Sequence, residues 1–135
     1  MQRRILSLLV GIAFVGVLAA TGAWAGSPHF VSCNIVSQTS NSVTVAAKEA
    51  GLGNEQQIDA LLEATALCIN PGDKHPRAAN KADVATAGTF PVQNGKANYT
   101  LTGTATFQPD CSPPMTVSFT DILITDTTNG ITCEP

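Results

Sequence analysis

One stretch of this chain, INPGDKHPRAANK at residues 69–81, gathers side chains that could do chemistry. Asp73, Lys74 and Arg77 surround His75, and imidazole is the side chain best suited to move a proton near neutral pH. Nucleophilic catalysis would also need an activated nucleophile and an orienting acid. The sequence contains no Gly-x-Ser-x-Gly, no His-Glu-x-x-His and no free-cysteine dyad that would supply them. A metal centre needs about three protein ligands, and the second histidine, His29, begins a strand whose start faces the opposite end of the fold. Recognition is the remaining chemistry. Asn70-Pro71-Gly72 is turn-forming, and His75-Pro76 keeps the histidine out of helical geometry. Asp73, Lys74, His75 and Arg77 are therefore the expected binding residues, set against the plainer alternative of a solvated connection anchored at Cys68.

The elements that must carry this loop read as strands. HFVSCNIVSQ (29–38) and SVTVAAK (42–48) are short, rich in β-branched residues and separated by turn-prone TSN. DVATAGTFPV (83–92) and KANYTLTGTATF (96–107) flank Gln93-Asn94-Gly95, and Asn-Gly tolerates the positive φ of a type I′ hairpin turn. PMTVSFTDILIT (114–125) and GITCE (130–134) flank DTTNG, a second hairpin signal. Even spacing of strands and turns predicts an antiparallel β-sandwich.

NEQQIDALLEATALC (54–68) fits two periods. As a helix it has Asn54 as cap, Gln57 completing a capping box, and Ile58, Leu61, Leu62, Thr65 and Ile69 on one face. As a strand it aligns Ile58, Ala60, Leu62, Ala64, Ala66 and Cys68. The all-β surroundings favour the strand.

If successive strands run antiparallel, Cys68 and Cys111 fall at the same end of the domain, which predicts that they pair. The same count brings Cys33 in the first strand and Cys133 in the last to the other end, which predicts the second bridge. An even number of cysteines in a short exported chain reads as disulfides, and the absence of any Cys-x-x-Cys pair argues against structural zinc.

Export is the expectation from the first 25 residues. Arg3-Arg4 precedes an apolar run from Ile5 to Ala20, and Ala23-Trp24-Ala25 supplies the small residues of a signal-peptidase site, with cleavage expected after Ala25. The apolar run is short for a membrane span, which needs about 17–25 residues. Residues 26–135 are then one disulfide-bonded domain. The whole chain has a net charge of −3, and loss of Arg3 and Arg4 makes the remainder more acidic. That balance disfavours nucleic-acid partners, which need a basic surface to neutralise phosphates.

Three smaller patterns read as ordinary surface. Thr100, Thr102, Thr104 and Thr106 share one strand face, as regular threonine arrays on ice-binding surfaces do, but an ordinary solvent face accounts for them. Asn98-Tyr99-Thr100 matches an N-glycosylation acceptor. Asp121 and Asp126 are expected to be exposed strand-end carboxylates, since their spacing fits no EF-hand loop.

SPHF (27–30), KEAGLG (48–53), CINPGDKHPRAANK (68–81), FPVQNGKANYTLT (90–102) and FQPDCSPPMTV (107–117) together resemble a family of small secreted proteins of actinobacterial type. The resemblance spans nearly all of residues 26–135. It implies an immunoglobulin-like antiparallel β-sandwich of about seven strands and a Cys68–Cys111 bridge, and it strengthens the strand reading of residues 54–68. It carries no activity, so no catalytic residue follows from it. Cys33 and Cys133 are less typical of that pattern, and their pairing rests on strand direction alone. The expected function is an extracellular or cell-surface binding module, not an enzyme, with no cofactor or metal. Its partner would be an extracellular or cell-wall ligand, with no nucleic acid and no membrane contact beyond an uncleaved leader. The domain itself is expected to be a monomer. The competing functions are a secreted enzyme with a site around His75 and a passive structural protein of the envelope.

Overall fold

Alternation of apolar and polar residues dominates the chain, and the computed structural model, which describes residues 26–71 and 80–135, is built wholly from it. Seven strands form: β1 (His29–Gln38), β2 (Ser42–Ala50), β3 (Gln57–Ile69), β4 (Lys81–Pro91), β5 (Ala97–Thr104), β6 (Thr116–Asp126) and β7 (Ile131–Cys133). They make two antiparallel sheets, one of three strands in the order β1-β2-β5 and one of four in the order β4-β3-β6-β7. The two sheets face each other as an immunoglobulin-like β-sandwich. The leader expected at residues 1–25 lies outside the described residues.

Residues 57–69 form the longest strand, β3, and it pairs with β4 on one side and β6 on the other. Ile58, Ala60, Leu62, Ala64, Ala66 and Cys68 are all buried, which is the strand periodicity. The helical face would have required Leu61 and Thr65 inside, whereas both are only partly buried on the outer face. A central strand ladders its backbone on both edges, so tertiary pairing outweighs the capping signals at its start.

Asn94 and Gly95 have φ of 54° and 72°, as the type I′ turn requires. Yet this turn does not close a hairpin of the expected length. After the Gln93–Lys96 bridge the chain divides, with β4 joining β3 and β5 joining β2. The turn thus carries the chain from one sheet to the other. The β1–β2 and β6–β7 connections are true hairpins.

The core lies between the sheets, with Val43 and Val45 from β2, Ile58 and Leu62 from β3, and Ile124 from β6 fully buried. Gly103 on β5 faces inward, and a Cβ there would collide with Val84 Cγ1 and lie 3.3 Å from Leu62 Cδ2. The missing side chain is what lets β5 approach the opposite sheet. Gly103→Val is expected to cost about 1–3 kcal/mol through overpacking, read from the urea midpoint. An unchanged midpoint would mean that Val84 and Leu62 yield without cost.

Two disulfides fasten the sandwich, Cys33–Cys133 and Cys68–Cys111, the pairs that strand direction predicts. Their placement is less uniform than that count implies. Cys68 ends β3 and Cys111 lies in the β5–β6 connection, at one end of the domain. Cys33 lies within β1 opposite Ala47, and Cys133 stands opposite Ile124, so this bridge ties the edge strands of the two sheets along their length.

Candidate functional site

β1, β3 and β5 all leave the sandwich at the end marked by Cys68, so the β1–β2 turn and the β5–β6 connection lie there together. The β1–β2 turn is locally determined. Thr39 accepts on Oγ1 from the backbone N–H of Ser42 at 3.0 Å, and its own N–H donates to the Ser42 carbonyl at 2.8 Å. The Ala105 N–H donates to the Asn41 carbonyl at 2.7 Å and fastens the end of β5 to this turn. In the β5–β6 connection, Met115 N–H closes a turn on the Ser112 carbonyl at 3.0 Å.

Between these connections opens a cleft of about 650 Å³. Phe107, Met115 and Val117 give it an apolar floor, while Asn41, Thr106 and Asp110 supply polar edges. Cys111 is part of the wall, and its bridge to Cys68 fixes that wall to the end of β3. The Met115 thioether sulfur lies 3.6 Å from Cys68 Sγ and packs the bridge from the cleft side. Polar and apolar groups share its lining about equally. The volume would hold a small organic molecule or a few residues of a peptide.

Asp73, Lys74, His75 and Arg77, the binding residues expected from sequence, lie outside the described residues. The ends of their loop do not: Ile69-Asn70-Pro71 and Asn80 sit at the same end of the sandwich as the cleft. His29, by contrast, starts β1 at the far end, where its Nδ1 lies 2.7 Å from the Ser27 carbonyl oxygen. Among the described residues no three histidine, cysteine, aspartate or glutamate side chains come together as a metal site.

The far end holds a second chemical cluster. Glu49 on β2 follows Val43, Val45 and Ala47 on the inward face and is 1% exposed. Asp126 at the end of β6 is 0% exposed, which corrects the expectation that it is a solvent-facing strand-end carboxylate. It is buried because it organises the β6–β7 turn. It accepts from the backbone N–H groups of Thr128 and Asn129 at 2.9 and 3.0 Å and from Asn129 Nδ2 at 2.7 Å. Asp121 is exposed, as expected.

Tyr99 on β5 stacks on Phe90 of β4 with ring centroids 4.4 Å apart, which aims its hydroxyl at Glu49. Tyr99 OH donates to Glu49 Oε2 at 2.5 Å, while Glu49 Oε1 accepts no hydrogen bond from the described residues. Burial raises the Glu49 pKa from 4.5 to about 7. Tyr99's hydrogen bond opposes that rise, while the nearby Asp126 and Glu55 carboxylates add to it. Burial, followed by the bond to Glu49, pushes the Tyr99 phenol well above its usual range. Below about pH 7 Glu49 therefore keeps a proton inside the fold.

The alternation of β2 and β5 places Glu49 and Tyr99 among inward positions, and that was the sequence signal available for them. Thr100, Thr102 and Thr104 are exposed as read, and the Thr102 and Thr44 hydroxyls meet at 2.7 Å across β5 and β2. Asn98 is exposed too. Compared with family models, with curated proteins and with solved structures, the chain matches none.

Proposed function

We propose that this chain is a secreted binding module that takes an extracellular ligand at the Cys68 end of its sandwich. The observation that carries this is the cleft of about 650 Å³, whose wall is cross-linked to the end of β3 by Cys68–Cys111. A bridge at that point holds binding connections in place before the ligand arrives, which reduces the ordering cost of association. Two disulfides are compatible with an extracellular protein, and the leader-like residues 1–25 support export. Asp73, Lys74, His75 and Arg77 are the binding residues that the sequence offers for this proposal. The ligand is held, not transformed.

The test captures ligands from the producing cell's medium and wall extracts on the immobilised, oxidised protein. Two variants are compared with wild type: Asp73, Lys74, His75 and Arg77 replaced together by alanine, and Asp110→Lys with Met115→Lys at the cleft. Each is expected to weaken capture about tenfold or more while the thermal midpoint stays within a few degrees. Undiminished capture by both variants would refute the site.

A further inference from the structure

The outer face of the three-stranded sheet carries a groove that shares no residue with the cleft at the Cys68 end. Alternation along β2 turns Val43, Val45, Ala47 and Glu49 inward and leaves Ala46, Lys48 and Ala50 on the opposite face. The strand register sets Ser32, Lys48 and Asn98 side by side across β1, β2 and β5, and Asn34, Ala46 and Thr100 beside one another in the next row. Around the short Ala46 side chain these six line a cleft of about 550 Å³. One row further along, the Thr44 and Thr102 hydroxyls bond each other at 2.7 Å.

A second cleft of about 260 Å³ adjoins the first, sharing Lys48 and Asn98 and adding Val31, Ala50 and Lys96. Val31 is the extra residue where the β1–β2 register shifts between Phe30 and Ser32, and it stands 61% exposed as an apolar wall. Among the described residues the lysines are Lys48, Lys81 and Lys96, so two of the three meet in this groove, on a chain whose net charge is −3. Glu49 borders the second cleft but turns its carboxyl inward to Tyr99. No outward carboxylate in the lining opposes the two lysines.

We propose that this groove binds an acidic polysaccharide, with carboxylate-bearing sugars laid across β1, β2 and β5. Hydroxyl and amide side chains both donate and accept, so Ser32, Asn34, Asn98 and Thr100 match the hydroxyl groups of a sugar ring. Val31 and Ala46 meet the C–H faces of the ring, and Lys48 and Lys96 pair with its carboxylates. The lining does not suit a single-stranded nucleic acid, the other extended polyanion. Tyr99 is the aromatic residue beside the groove, and its ring is turned inward onto Phe90 at 4.4 Å, which leaves no face for a base to stack on. The two binding surfaces are separate: Lys48 stands near the far end of β2, whereas Asn41 in the other cleft precedes its first residue.

The test titrates short oligomers of galacturonic acid into the oxidised protein, labelled with nitrogen-15, at low salt. Amide shifts are expected at Ser32, Asn34, Ala46, Lys48 and Lys96–Thr100, with Asn41 and Cys111–Val117 unmoved. Methyl esterification of the sugars, which removes their charge and keeps their hydroxyls, should weaken binding about tenfold, as should Lys48→Gln with Lys96→Gln. Asn34→Ala with Asn98→Ala should weaken it about tenfold as well, while leaving the binding of polyphosphate, a polyanion without sugar hydroxyls, unchanged. All four side chains are exposed, so the thermal midpoint should stay within a few degrees. The proposal is overturned if the oligomers shift none of these amides. It is also overturned if polyphosphate binds as tightly as the oligomers and the asparagine variant affects neither, since charge alone would then account for the binding.

Discussion

Replacing Cys33 and Cys133 together by alanine is expected to destabilise the domain by about 4–5 kcal/mol. The bridge spans a sequence separation of 100, so its loss frees almost the whole described chain in the unfolded state. Chain-entropy arguments place a loop of that length near the top of the range for disulfides, and total stabilities of small domains are about 5–15 kcal/mol. Folded β7 adds to the effect. With 3 residues and pairing to β6 alone, it has little else holding it against β1. The double variant should therefore melt roughly 20 °C lower, with its first loss of amide protection in Ile131–Cys133. Guanidinium unfolding of the variant and the oxidised wild type gives the difference directly. A cost below about 1 kcal/mol would mean that the unfolded chain is already compact without the bridge. Cys68–Cys111, with a separation of 43, should cost somewhat less in stability but more in binding, because it shapes the cleft.

Glu49→Gln is expected to make the protein more stable at pH 8 by up to about 3 kcal/mol. Glu49 has a folded pKa of about 7 against 4.5 when exposed. Below pH 4.5 both the folded and the unfolded chains carry the proton, and the group costs nothing. Between pH 4.5 and 7 the unfolded chain releases its proton while the folded chain keeps it, so stability falls as pH rises. Above pH 7 both are ionised and the loss levels off, with a charge then buried among Tyr99 and Asp126. Glutamine still accepts the Tyr99 hydroxyl and never ionises, so the variant should lack this decline. Urea titrations at pH 4, 6 and 8 test it. Parallel pH profiles for wild type and variant would show that Glu49 ionises freely in the folded protein.

The strands were legible because alternation survives along nearly every one of them, and Ile58 to Cys68 fall on one buried face. Periodicity alone left residues 54–68 open, since Ile58 and Leu62 satisfy both repeats. Only pairing on two edges settles it, and pairing is a property of residues far apart in sequence. The Asn94-Gly95 turn was legible in its dihedral angles but not in its consequence. A turn signal is local, whereas the division of β4 and β5 between sheets depends on their partners β3 and β2. Strand direction was enough to pair the cysteines but not to place Cys33 within its strand.

Burial at Glu49 could have been read from its register with Val43, Val45 and Ala47. Asp126 was misread because a carboxylate near a strand end is usually exposed, and its burial depends on the Thr128 and Asn129 amides that fold back to it. The cleft had no sequence signature. Its walls come from Asn41, Phe107 and Met115, which local patterns do not connect.

The central claim is that ligand binding occurs at the Cys68 end of a preformed, cross-linked sandwich. The most direct measurement is an amide shift map of the oxidised, nitrogen-15-labelled protein, before and after adding the fraction of producer medium or wall that it captures. The prediction is a set of shifts concentrated at Asn41, Thr106, Phe107 and Cys111–Val117, continuing into residues 70–80, with the sheets unmoved. Shifts concentrated elsewhere on the sandwich, with these amides unchanged at saturation, would contradict it.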